Sequence, residues 1–313
     1  MEPITHLSSG YIIYNLFSER FNNEKNRFRN TIIIASIFPD IDALTSFISF
    51  EFSLIHHRGI THSIFGAFFL AFFLTFIFFH KKEKFWQCYF FSLLTLFIHI
   101  FLDLITSYGT QILLPFSNKR FSLNLVFIID FLYTLPLLFF LLLFLATKKR
   151  LFLIIGFIYI FFYPLLNFIS LIILKDKYYS LETKNVYFVP VLFTPINWRI
   201  IIDDDGYYKT NQITEFSKFN NSNEKYKKAN FNDAEINELY KQLKFLKTYL
   251  WFTSFPVYEK KVYADYNEII LKDLRFHIKG KLPKFFIRRK EAPFMLKIIT
   301  SKEGKIIDWS FNK

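Results

Sequence analysis

His99 and Asp103 stand four residues apart in an apolar run, so on a helix their side chains leave one face about one turn apart. An imidazole and a carboxylate placed this way can reach one cation. Pro39-Asp40-Ile41-Asp42 sets two carboxylates beside a helix-breaking proline. His57-Arg58-Gly59-Ile60-Thr61-His62 sets two imidazoles around a glycine turn, and His6 follows Thr5 near the start. Mixed imidazole and carboxylate donors suit Zn2+, with Mn2+ or Fe2+ as alternatives, whereas Ca2+ and Mg2+ prefer all-oxygen shells.

The ligand pool is therefore His6, Asp40, Asp42, His57, His62, His99 and Asp103, more than one tetrahedral ion needs, so one or two divalent ions are expected. Asp103 is the expected central ligand and, with His99 and Arg58, the expected catalytic set. Arg58 and Arg120 are candidates to hold an anionic head group, with Arg120 and Asp130 as substrate or supporting residues. The chemistry this predicts is hydrolysis by metal-activated water.

The elements that must position these residues are apolar. Of 39 Lys and Arg and 26 Asp and Glu in 313 residues, only 13 and 9 lie in residues 1–174, which also hold six of the seven histidines. Four apolar runs, Ile64–Phe79, Phe85–Ile105, Leu125–Ala146 and Leu151–Leu174, approach the roughly 20 residues that cross a bilayer. Thr31–Phe50, broken by Pro39, Asp40 and Asp42, reads as a re-entrant or interfacial element. Carboxylates in such surroundings are costly unless paired or bound to something. His62, His99, Asp103 and Asp130 fall at one membrane level in this arrangement.

The expected fold is an α-helical membrane domain over 1–174, with about four transmembrane helices plus N-terminal re-entrant or interfacial helices. A soluble, mostly-β α+β domain follows over 175–313. Lys81, Lys82 and Lys84 join the first two runs; Lys148, Lys149 and Arg150 join the last two. The positive-inside rule makes that side cytoplasmic and the C-terminal domain extracytoplasmic. Arg20, Lys25, Arg27 and Arg29 fall on the other side and dilute the bias. Met1-Glu2-Pro3 does not open a secretory signal. In the second domain, Asn185–Thr194, Trp198–Ile202, Tyr207–Thr210, Val257–Tyr263, Glu268–Ile278, Phe285–Arg289, Phe294–Thr300 and Lys305–Phe311 read as strands, with turns at Asp203–Gly206 and Glu303-Gly304. Asn232–Glu235 reads as a capping box for a helix to about Phe252.

These blocks resemble a known family. Thr5-His6, Phe38–Asp42, His57–Ser63, and His99 through Asp103 to Thr106–Thr110 look like the YdjM-type family of bacterial membrane-bound proteins. The likeness continues through Pro115–Ser117 and Arg120 to Asp130, and reappears in Pro195–Arg199, Asp205–Tyr208, Tyr249–Phe252 and Asp273–Phe276. It implies a metal-dependent hydrolase of the bacterial inner (cytoplasmic) membrane, and it points to His57 rather than His56. The His-x-x-x-Asp element is also similar to the metal-binding helix of zinc-dependent phospholipases C, whose remaining ligands this sequence lacks.

The function expected is a membrane-embedded metal-dependent hydrolase acting on a lipid or lipid-linked (phospho)ester at the outer membrane–water interface. The alternative is a non-enzymatic metal-binding or transport-related membrane protein. A serine hydrolase using Ser63 or Ser107 lacks a Gly-x-Ser-x-Gly element. The net charge of +13 is dispersed, which argues against nucleic acid as a partner. A single cysteine excludes a disulfide framework. Oligomeric state is left open.

Overall fold

The computed structural model describes residues 1–80, 82–179, 185–214, 224–276 and 293–312. The expected strand Phe285–Arg289, residue Ile278 and His277 lie outside the described residues. The helices are α1 (Pro3–Phe17), α2 (Lys25–Ile37), α3 (Phe50–His56), α4 (Ile64–Phe79), α5 (Phe85–Leu104), α6 (Phe131–Thr147), α7 (Arg150–Tyr179), α8 (Ala234–Gln242) and α9 (Phe245–Phe252). The strands are β1 (Val186–Pro190), β2 (Asn197–Asp204), β3 (Tyr207–Thr214), β4 (Glu224–Lys228), β5 (Pro256–Val262), β6 (Asn267–Asp273), β7 (Met295–Thr300) and β8 (Ile306–Asn312).

Two compact units interleave along the chain. One comprises Met1–Leu44, His56–Ser180 and Pro190–Trp198; the other comprises Thr45–Ile55, Leu181–Val189 and Arg199–Lys313. In the first, α5 and α7 are long and apolar enough to cross a membrane; Phe50–His62 with α4, bent by 65°, would make a third crossing. Side chains such as Phe69 and Ile158 are more than half exposed on these helices. A helix that is apolar all round calls for lipid on its outer face.

α6 is a shorter apolar helix of 17 residues, and it starts six residues later than the apolar run. The backbone before it is extended: the N–H groups of Leu125 and Val126 both bond Ile105 O, at 2.8 and 3.0 Å. Asp130 then caps α6, accepting the Leu132 N–H at 2.9 Å. Asp130 is thus the N-terminal cap of α6, although it lies five residues inside the apolar run.

α1 and α2 form a hairpin whose turn meets the other end of the bundle from His6. Lys84 donates to Arg20 O, Arg150 pairs with Glu19 at 2.8 Å, Lys82 faces Glu24 at 3.6 Å, and Arg27 donates to Phe78 O at 3.2 Å. This corrects the expected dilution of charge. The turn lies beside the Lys82–Lys84 and Lys148–Arg150 loops, so the basic residues reinforce one end.

The second unit is one eight-stranded sheet in sequential order, β1 to β8, with neighbours from β3 to β8 antiparallel. Gly206 (φ 79°) and Gly304 (φ 86°) occupy the two expected turns. Strand β4, rich in lysine, was not expected; only Tyr226 in it is buried. The expected single helix after Asp233 is two, because Leu243 is extended (φ −119°, ψ 100°) between α8 and α9.

Candidate metal centre

The centre of the site is α5. His99 and Asp103 are both buried, and the His99 Nδ1–H donates to Ser36 O of α2 at 2.7 Å. α1 reaches this point because Gly10 lets it approach α2: a Cβ at Gly10 would lie 2.4 Å from the Ser36 Cβ. That close packing lays the His6 ring on His99, centroids 3.8 Å apart and 21° from parallel.

The loop from His56 to Ser63 supplies the next ligand. Arg58 takes a positive φ of 57°, and a Cβ at Gly59 would stand 2.6 Å from His56 O. A short 3-10 turn, Ile60–His62, then aims His62 inward. Asp42 ties the loop down. Its Oδ2 accepts the Arg58 N–H at 2.9 Å and the Thr61 hydroxyl at 2.7 Å, and its Oδ1 lies 2.7 Å from His57 Nδ1. The same Oδ2 lies 3.0 Å from His62 Nδ1.

Five donors converge. His62 Nε2 lies 3.0 Å from Asp103 Oδ2 and 3.5 Å from Asp40 Oδ1. His99 Nε2 lies 3.6 and 3.7 Å from the same two oxygens. The two Nε2 atoms are 3.1 Å apart. His6 Nε2 lies 3.4 Å from Asp103 Oδ1, and one donor atom each from His6, Asp40, His99 and Asp103 falls within 4.8 Å of the others. Donors about 2.0–2.1 Å from one ion and spread tetrahedrally stand roughly 3.3 Å apart. His6 leaves both ring nitrogens, and Asp40 its Oδ2, without a hydrogen bond among the described residues.

The tautomers sharpen this. A carbonyl oxygen only accepts, so His99 Nδ1 carries a proton. Asp42 also only accepts when ionised, so His62 Nδ1 carries one too. With Nδ1 engaged in this way, Nε2 is the ring atom that each histidine turns toward Asp103, and the two Nε2 atoms lie 3.1 Å apart. A cation between them would take both nitrogens together with the Asp103 carboxylate. The residues therefore fit a divalent ion.

A family model described as the YdjM inner membrane protein matches residues 1–175. The chain belongs to that family. A 90-residue stretch is 33% identical to the uncharacterized protein YfhP of Bacillus subtilis (strain 168), covering 28% of this chain and 28% of that protein. No solved structure matches. All the converging donors lie inside the YdjM match, which supports a membrane protein.

In this member of the YdjM family the remaining candidates are engaged around the converging donors and beyond them. His57 turns Nδ1 to Asp42, on the Nδ1 side of His62 and away from its Nε2. Arg58 is committed to Asp103: Nη2 to Oδ1 at 2.9 Å, with Nη1 on Asp103 O at 3.3 Å and Thr106 Oγ1 at 2.8 Å. The Met1 amino group also pairs with Asp103 Oδ1. Arg120 donates to Gly109 O and His57 O, both at 3.0 Å, so it clamps two loops together. Both guanidinium groups lie over Tyr108, at 4.7 and 5.5 Å from its centroid. Asp130 accepts from Tyr163 at 3.0 Å. His80 is exposed at the C-terminus of α4. Ser36, Thr61 and Tyr108 were not singled out from sequence; their types carry no signal without the contacts.

Proposed function

We propose that this protein is a membrane-embedded, metal-dependent hydrolase. The observation that carries the reading is the convergence of His62 Nε2 and His99 Nε2, 3.1 Å apart, on Asp103 Oδ2. Asp40, His62, His99 and Asp103, with His6, are the groups that would hold the ion, Zn2+ first and Mn2+ or Fe2+ as alternatives. A divalent ion bound there supplies Lewis acidity and a nucleophilic water near neutral pH.

The chain's own residues do the rest. Asp42 holds His62 in one tautomer and one orientation, as outer carboxylates do for metal-binding histidines. Arg58 fixes the Asp103 carboxylate and offsets its buried charge. Asp40 is the most open donor, its side chain 22% exposed, so substrate reaches the site past it.

In this reading the bent α3–α4 pair, α5, α6 and α7 make four crossings of the bacterial inner membrane. The basic end is cytoplasmic. The site lies at the outer interface, where a lipid or lipid-linked (phospho)ester is the substrate, and the chain leaves α7 on that side. A non-enzymatic metal-binding role is the second reading. It is favoured by burial: His62, His99 and Asp103 are at most 1% exposed, as in closed structural sites.

Metal analysis of the detergent-purified protein, followed by assay on a phospholipid diester with and without chelator, tests both. Stoichiometric metal with chelator-reversible hydrolysis supports the hydrolase. Metal without hydrolysis supports the second reading, and absence of metal overturns both.

A further inference from the structure

Away from the metal centre, on the opposite face of α1 from His6, α1, α2 and α6 enclose an open cleft of about 550 Å³. This is within the size range of small-ligand pockets. Leu7 and Tyr11 of α1, Ile33 of α2, and Leu138 and Leu141 of α6 give it almost wholly apolar walls. Its polar lining residues are Ser8 of α1 and Asn30 and Arg29 of α2, and Arg29, at one end, carries the charge. It is exposed, and it makes no ion pair or hydrogen bond among the described residues.

The direction of the cleft follows from the helix ends. Arg29 lies in the second turn of α2 and Leu145 in the last turn of α6, both at the basic end. Ile4 lies near the start of α1, at the other end. The cleft thus runs into the bilayer from Arg29 at the basic end. An apolar slot with one unpaired guanidinium at the membrane surface is complementary to an anionic amphiphile. Arg favours phosphate through its planar fork of donors, and juxtamembrane basic clusters attract anionic lipid.

We propose that the cleft is a binding site for an anionic phospholipid, one acyl chain lying between α1, α2 and α6 and the phosphate paired with Arg29. It is separate from the metal centre, so metal content and lipid retention vary independently.

The test uses the full-length protein, delipidated in detergent and offered phosphatidylglycerol, phosphatidylcholine with identical chains, or oleate, with retained ligand counted by native mass spectrometry. The expected result is one phosphatidylglycerol per chain, with phosphatidylcholine retained about tenfold less. Arg29→Gln should bring the two lipids to within about threefold of each other. Leu141→Trp, which fills the cleft, should remove both. Leu142→Trp, on the 61% exposed neighbouring position, should change nothing and controls for folding. Equal retention of the two lipids by the unmodified protein overturns the proposal. So does phosphatidylglycerol retention that survives Leu141→Trp, and so does oleate retained as well as phosphatidylglycerol, which would assign the cleft to a fatty-acid carboxylate.

Discussion

Arg58 and Asp103 form a buried ion pair, Nη2 to Oδ1 at 2.9 Å, while the other carboxylate oxygen faces His62 Nε2 at 3.0 Å. The carboxylate thus has one side committed to an arginine and one side turned to the converging donors. Asp103→Asn separates these roles. It keeps the volume but removes the charge, and is expected to abolish stoichiometric metal while the protein still inserts. Arg58 then loses its anion, and breaking a buried pair costs about 3–5 kcal/mol, so the thermal midpoint should also fall. His80→Ala, at the far end of α4, should change neither. Metal content and a thermal melt of each variant check this; normal metal in Asp103→Asn sinks the ligand assignment.

Asp42→Asn should leave metal binding possible but weaker. The carboxylate orients His62 through Nδ1 and anchors Thr61 and the Arg58 backbone. Removing such an outer partner costs about 10–100-fold in metal affinity. Competition titration against a chelator measures it. Complete loss of metal would instead make Asp42 a direct ligand.

Chelation should lower the thermal midpoint of the unmodified protein. At free metal about 100-fold above Kd, binding contributes about 2.7 kcal/mol to stability. His99→Ala should already have lost that contribution and be insensitive to chelator. A midpoint that does not move on chelation in either protein would count against a resident ion.

Gly10→Ala tests how α1 is held. The new Cβ meets the Ser36 Cβ at 2.4 Å, and overpacking of this kind costs about 1–3 kcal/mol. It should also move His6 off His99 and weaken metal binding. Adding Ser36→Gly removes the opposing atom and should recover much of both losses. A double variant no better than the single one would place the strain elsewhere.

In the sheet unit, Asp233 caps α8, accepting the N–H groups of Glu235 and Ile236 at 3.0 and 3.4 Å, and it pairs with Lys227 at 2.7 Å. Burial opposes its ionisation, but Lys227, Tyr258 and the helix N–H groups outweigh this and hold its carboxyl below the usual carboxylate range. A depressed folded-state value means the contribution is full above the unfolded value, about pH 4, and fades as pH falls through the lower one. Asp233→Ala should cost about 1 kcal/mol of protection at the α8 amides. Hydrogen exchange near neutral pH reads this, and the unmodified protein should lose the same protection in acid.

What the sequence determined by itself is what short-range rules control. Apolar run length separates the helical region from the charged sheet region, because lipid tolerates long uncharged helices and water does not. The four-residue spacing of His99 and Asp103 places both on one helix face, and Gly206 and Gly304 mark turns through their positive φ. Strand β4 escaped because Glu224-Lys225-Tyr226-Lys227-Lys228 buries one side chain and shows no apolar alternation. Tertiary structure alone decided which donors converge. Gly10 against Ser36 brings His6 over His99, and the loop held by Asp42 turns His62 inward. That Asp42 accepts four hydrogen atoms around its own loop, that Arg120 spans Gly109 and His57, and that Arg20 sits beside Lys84 are contacts between residues 11 to 64 positions apart. No local pattern encodes such separations; they arise when helices pack and every buried donor must find its acceptor.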